Sequence, residues 1–163
     1  MKSKKFLIEN DPANAAKMIL PISSNMGISP IGRDRLLILM EGGLMLHSCG
    51  HYEESNKVLL KAASIADDYP ISISKEATAL LLNDTFTDYR GEDFEKVMIH
   101  MYLGINYLML AKPDEARVEF KKVNDMLRDI NVTTGKSYKQ NLMAKYLTAI
   151  AFELSADVDN DMN

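Results

Sequence analysis

Glu92 to Arg128 reads EDFEKVMIHMYLGINYLMLAKPDEARVEFKKVNDMLR, and this stretch decides the fold. From Phe94 to about Leu110 the apolar residues Val97, Met98, Ile99, Met101, Tyr102, Leu103, Ile105, Tyr107, Leu108, Met109 and Leu110 cover more than one narrow stripe. A helix of that kind is packed on at least two sides. It is interrupted by His100, Gly104 and Asn106, and it is short of the roughly 20 apolar residues that a bilayer span needs. Ala111-Lys112-Pro113-Asp114 then turns the chain. Pro113 suits the first turn of a helix, where its missing N–H costs nothing, and Asp114 and Glu115 favour a helix N-terminus electrostatically. Ala116, Phe120, Val123 and Leu127 follow at spacings of four, three and four, one face of a returning helix. The stretch is therefore an antiparallel helical hairpin.

A chain of 163 residues suits one domain with a sizeable core. Apolar residues make up 47% and charged ones 26%, as in ordinary globular domains. The net charge of −4 gives no basic bias that would favour nucleic acid or an anionic membrane. One cysteine, Cys49, excludes an intramolecular disulfide framework. Met1 to Lys5 is basic, but no long apolar stretch follows, so it does not read as a signal peptide. The 11 methionines are adaptable core fillers or the lining of a permissive groove.

Outward from the hairpin, the chain divides into further helical pieces. Residues 1–32 hold a short helix, Pro12 to Leu20, and a loop rich in Ser, Gly and Pro. Residues 33–68 hold a second hairpin: Arg33 to Ser48, a turn at Cys49-Gly50-His51, and Tyr52 to Asp67. Residues 69–91 hold an inserted helix, capped by Ser74 and ended near Gly91. Residues 92–129 are the hairpin already described, followed by a polar loop over Asn131 to Lys136. Residues 138–155 form a last helix with Leu142, Met143, Tyr146, Leu147, Ile150, Ala151 and Phe152 as its apolar set. No returning helix follows it, which leaves an apolar face without a partner and suggests a natural chain longer than this one. The expected fold is all-α: stacked antiparallel helical hairpins with an inserted helix and an incomplete last unit.

Leu103-Gly104-x-x-Tyr107 followed by Ala116-x-x-x-Phe120 resembles a tetratricopeptide repeat, whose pattern is L-G-x2-Y and then A-x3-F. His100 stands where a large aromatic is usual, and no proline closes the unit. A weaker match precedes it, with Gly43, Leu46, Ser55, Leu59 and Ala62 at the positions of Gly104, Tyr107, Ala116, Phe120 and Val123. The two glycines are 104 − 43 = 61 positions apart, against about 34 in a simple array, hence the insert. In the last helix Ala149 and Phe152 take the Gly and Tyr positions. From Leu36 to Leu154 the combination resembles repeat-containing lipoproteins of Gram-negative bacteria. That resemblance implies an envelope or periplasmic-side location, the alternative being cytoplasmic, and it implies no defined activity.

Candidate chemistry is sparse. His47 and His51 are four apart, with Cys49 between them, and could share a metal on one helix; Gly50 breaks the helix there, so turn histidines are the plainer reading. His100, among apolar residues, reads as a packed histidine bonded to a neighbour. Asp157, Asp159 and Asp161 match the first ligand positions of a calcium loop but lack its Gly, so a solvated acidic terminus is the better reading. No phosphate-binding glycine motif, positioned nucleophile or cofactor site is recognisable. The expected function is non-enzymatic binding of a protein or amphipathic peptide. Aligned with the first helices of tetratricopeptide units, Leu37, Met40, Leu44, His47, Met98, Met101, Ile105 and Leu108 would line a concave apolar groove, either open or filled by the insert or the N-terminal helix. The groove lacks the Lys, Asn and Arg set that would clamp a carboxylate. Self-association through the last helix is the alternative.

Overall fold

The computed structural model describes residues 35–68, 89–134 and 142–161. The helix expected at Pro12 to Leu20, the insert before Tyr89 and the loop at 135–141 lie outside them. Among the described residues the chain is all-α, with five helices: α1 (Arg35–Ser48), α2 (Tyr52–Asp67), α3 (Asp93–Met109), α4 (Pro113–Thr134) and α5 (Leu142–Asp161). Each helix packs on the next, while α1 and α5 touch α3 only lightly. The result is a stack of helices in chain order.

Local chemistry sets the helix ends. Glu95, three residues into α3, accepts the backbone N–H of Glu92 at 2.8 Å and satisfies one donor of the first turn. The two hairpin turns use the same geometry. After α1, Gly50 (φ 77°) takes the left-handed position, its N–H bonds the His47 carbonyl, and the His51 N–H reaches back to Leu46. After α3, Ala111 (φ 55°) takes that position, its N–H bonds Leu108, and the Lys112 N–H reaches Tyr107. This double bond satisfies carbonyls that a helix end leaves unpaired. Ala111 tolerates a conformation that glycine adopts without cost, so the second turn is the more strained of the two.

Two core clusters meet on α3. The first joins Leu36, Leu39, Met40 and Leu46 of α1 and Val58, Leu59, Ala62, Ala63 and Ala66 of α2 to Ile99 and Leu103. The second joins Val97 and Met101 of α3 to Ala116, Phe120, Val123, Leu127 and Ile130 of α4 and to Ala144 and Ala151 of α5. The helix dense in apolar residues is thus packed on two sides, as its composition requires. In both hairpins a glycine lets the returning helix approach. A Cβ at Gly43 would overlap the Leu59 side chain, and one at Gly104 would overlap the Phe120 ring.

Two boundaries differ from the sequence reading. Residues 131–134, expected in a loop, are the last turn of α4, where Ile130 is buried in the second cluster and carries the helix past Arg128. The acidic segment 157–161, expected as a terminus beyond the last helix, continues α5 as helix.

Gly104→Ala is expected to destabilise the chain by about 1–3 kcal/mol through overpacking against Phe120, outweighing the roughly 1 kcal/mol that Ala gains over Gly inside a helix. Urea unfolding followed by circular dichroism measures this; a midpoint at or above the wild-type value would mean that the Phe120 ring moves aside at little cost.

Candidate functional site

Polar side chains inside a helical stack need partners, and two groups of them are buried here. At the junction of α1, α2 and α3, the His47 Nδ1–H donates to Asn106 Oδ1 at 2.6 Å. Asn106 Nδ2 donates to Ser55 Oγ at 2.8 Å and to Asn56 Oδ1 at 2.9 Å. Ser55 Oγ in turn donates to the Gly43 carbonyl at 2.8 Å. The His47 ring also meets the edges or faces of Tyr52 and Tyr102, with centroids 5.7 and 5.0 Å away. Asn106 is fully buried, and both of its amide atoms are satisfied. The network therefore ties the first hairpin to the second at one register.

The second group joins α3 to α4. The His100 Nδ1–H donates to Glu119 Oε2 at 2.6 Å, and Lys122 Nζ donates to Glu119 Oε1 at 2.9 Å. Burial pushes the Glu119 carboxyl up, but the hydrogen bonds and positive charge of His100 and Lys122 outweigh it, and the net displacement is below the ordinary carboxylate value. Before α3, the Tyr89 hydroxyl donates to Glu95; burial and then the Glu95 carboxylate raise the phenol above its ordinary range. Burial lowers the Lys96 ammonium, against the opposing pull of Asp93 and Asp67. These shifted groups are dispersed along α3 and its neighbours rather than gathered around one point where a substrate atom could sit.

The eight residues expected to line a groove differ in burial. Met40 is buried in the first cluster, and Met101 in the second. Met98, Ile105 and Leu108 are packed beside Met101 in that second cluster, and His47 is held in the Asn106 network. Leu37 and Leu44 are half-buried on α1. Met101 and Leu108, three and four positions from Gly104, share the helix face that the returning helix covers, while Met98 and Ile105 lie to one side of it. His47 is committed to Asn106 by one ring nitrogen, and His51 lies beyond the Gly50 turn. Among the described residues no three His, Cys, Asp or Glu side chains gather where they could hold a metal ion.

The open apolar surface lies on α5. Leu142 (79% exposed), Tyr146 (66%) and Met143 (58%) stand out from the helix, Ala149 is exposed beside them, and Ile150 is half-buried. The opposite side, Ala144, Leu147 and Ala151, packs into the second cluster. Its C-terminal half is fastened to the start of α4: the Arg117 guanidinium lies 4.1 Å from the centroid of the Phe152 ring, and Ser155 Oγ donates to Asp114 at 3.0 Å. Matching Ala149 with Gly104 makes the arrangement intelligible. Leu142, Met143, Tyr146 and Ile150 then correspond to Val97, Met98, Met101 and Ile105, the α3 residues of the second cluster. Ala144, Leu147 and Ala151 correspond to Ile99, Tyr102 and Asn106, which face α2. So α5 packs on α4 as α3 packs on α2, and its exposed stripe matches the α3 residues that join the second cluster.

The Asn106 network went unnoticed in the sequence, although an Asn inside an otherwise apolar helix was a visible signal for it. Among the described residues no helix is long and apolar enough to cross a membrane. Comparison with protein-family models, with characterised proteins and with solved structures gives no match.

Two outcomes follow. Asn106→Ala is expected to cost about 1–3 kcal/mol by leaving buried partners unsatisfied, read as a lower urea midpoint. The Glu119 carboxyl ionises more readily folded than unfolded, so its contribution is present above the ordinary carboxylate pKa and is lost as pH falls through the lowered folded value. Glu119→Gln should accordingly be less stable than wild type at pH 7 and converge on it in acid, when urea midpoints are compared from about pH 7 down to about pH 3.

Proposed function

We propose that this chain is a non-enzymatic protein-interaction module, a helical-hairpin scaffold that recognises another protein helix through the exposed stripe of α5. The observation that carries this reading is the row Leu142, Met143, Tyr146, Ala149 and Ile150 on a helix whose other side is fixed in the core. Apolar side chains gathered in one patch mark interaction surfaces, whereas scattered ones do not. An extended apolar helix face is matched by an amphipathic partner helix laid against it. The resemblance of Leu103-Gly104-x-x-Tyr107 and Ala116-x-x-x-Phe120 to tetratricopeptide repeats supports a binding role, and the wider resemblance to Gram-negative lipoproteins supports placing that role in a bacterial envelope assembly. The shifted Glu119 carboxyl is engaged by His100 and Lys122 in an ion pair that joins α3 to α4, which supports a structural use of its charge.

The test is a photo-crosslinking amino acid at position 146 of the full chain, expressed in its native host. A discrete adduct that disappears with Ile150→Lys is the expected result. The same label on the polar α4 surface, at Arg128, is the control; adducts no stronger at 146 than there would overturn the reading.

A further inference from the structure

We infer that the helix received by the α5 stripe is a basic amphipathic helix. Its apolar residues lie on Leu142, Met143, Tyr146 and Ile150, and its lysines or arginines lie over the second half of α5. This preference rests on the reading of α5 as an interaction surface and names the chemistry of the partner. The charges on α5 are segregated along its length. No basic residue follows Lys145, while Glu153, Asp157, Asp159 and Asp161 all fall in the C-terminal half. Glu153, which is exposed, continues the row of Leu142, Tyr146 and Ala149, and Asp157 and Asp161 repeat it at spacings of four. Along that register α5 is apolar first and acidic after it.

Helix formation does not account for the acidic half. A helix C-terminus carries negative partial charge, and cations are the groups that stabilise it. The last turn of α5 has no basic residue and holds Asp159 and Asp161. Packing adds further acid at this end. Ser155 Oγ donates to Asp114 at 3.0 Å, which sets the start of α4, with exposed Asp114 and Glu115, beside it. Of the two cations nearest in sequence, Lys112 and Arg117, Arg117 is paired with Asp114 at 3.1 Å and lies over the Phe152 ring. The summed charge of this end is negative, and it attracts a cationic partner.

That charge decides between occupants. A second copy of α5 laid along the stripe would bring acid onto acid if parallel, and Glu153 onto apolar side chains if antiparallel. On α3 the position of Glu153 is held by Leu108, packed in the second cluster. An apolar covering helix of the α4 type would therefore desolvate the Glu153 carboxylate without compensation. Lysine or arginine side chains meet it with charge, and their methylene stems extend the apolar contact.

Fluorescence anisotropy on the full chain tests this with two labelled synthetic helices. Both carry the same leucine face; one has lysines and the other glutamates at its polar positions. The lysine helix should bind about tenfold or more tightly at about 0.05 M salt, and this margin should shrink toward about 0.5 M as screening sets in. Glu153→Gln with Asp157→Asn should remove most of the margin, with helicity by circular dichroism retained because acid is lost from a helix C-terminus. Glu53→Gln with Asp68→Asn, the same change of net charge on α2, should leave the margin in place. Tyr146→Asn should weaken binding of the lysine helix by about tenfold. A margin that survives the α5 pair, or falls equally with the α2 pair, overturns the inference. So does binding that Tyr146→Asn leaves unchanged, which would be charge attraction without the stripe. Equal binding of both helices, lost with Tyr146→Asn, removes the basic preference and leaves the interaction reading standing. If neither helix binds by about 500 μM, the inference falls, and the label at 146 judges the interaction reading separately.

Discussion

The close approach of returning helices at Gly104 and Gly43 is the constraint on which the rest of the structure depends. A helix carrying a side chain at Gly104 could not admit the Phe120 ring where it sits, and one at Gly43 would displace Leu59. Removing that one carbon brings α4 near enough to α3 for Ala116, Val123 and Leu127 to share a core with Val97 and Met101. The same contact, 61 positions earlier, brings α2 onto α1 with Val58, Ala62 and Ala63 buried. The glycine gives up helix propensity of roughly 1 kcal/mol, against about 1.5–3 kcal/mol recovered for each large apolar side chain taken out of water. Close packing explains why the trade is favourable and why each site accepts so little change.

With the hairpins formed, their mutual register remains to be chosen, and apolar contact alone chooses it weakly. The polar groups inside the stack are specific where the apolar ones are not. Asn106 has three partners drawn from α1 and α2, and a slip of either hairpin by one turn would leave its amide unsatisfied in the core. His100 and Glu119 do the same between α3 and α4. Histidines that a sequence reader inspects for metal or catalysis serve here as hydrogen-bond donors that hold helices in place.

How much of this was legible depends on the range of the interaction that decides each feature. Helix existence, the Pro113 start, the Gly50 turn and the double-sided packing of α3 follow from local spacing, and they could be read residue by residue. The extent of α4 past Arg128 could not, because it depends on Ile130 finding the second cluster, a tertiary contact. The Asn106 network joins residues 50 to 59 positions apart, and nothing in local periodicity reports such pairing. The residues expected along a groove are placed by both the hairpin and the stack. Met101 and Leu108 repeat in phase with Gly104, so the glycine that marks the hairpin also marks the face that the hairpin closes. On α5 the glycine equivalent, Ala149, is exposed.

That difference between α3 and α5 follows from the geometry of a stack. An interior helix is covered before and behind, so it can be apolar on two sides; an end helix is covered on one, and solubility then asks for a polar outer side. On α5 the outer side is not polar: Leu142, Met143, Tyr146 and Ile150 repeat the apolar character of an interior helix, and Glu153 alone departs from it. A sequence designed only to end the stack would have placed charges at each of those positions. A sequence designed only to continue it would have kept an apolar residue where Leu108 stands on α3. The mixture is an apolar stripe three turns long that is closed at one end by a carboxylate.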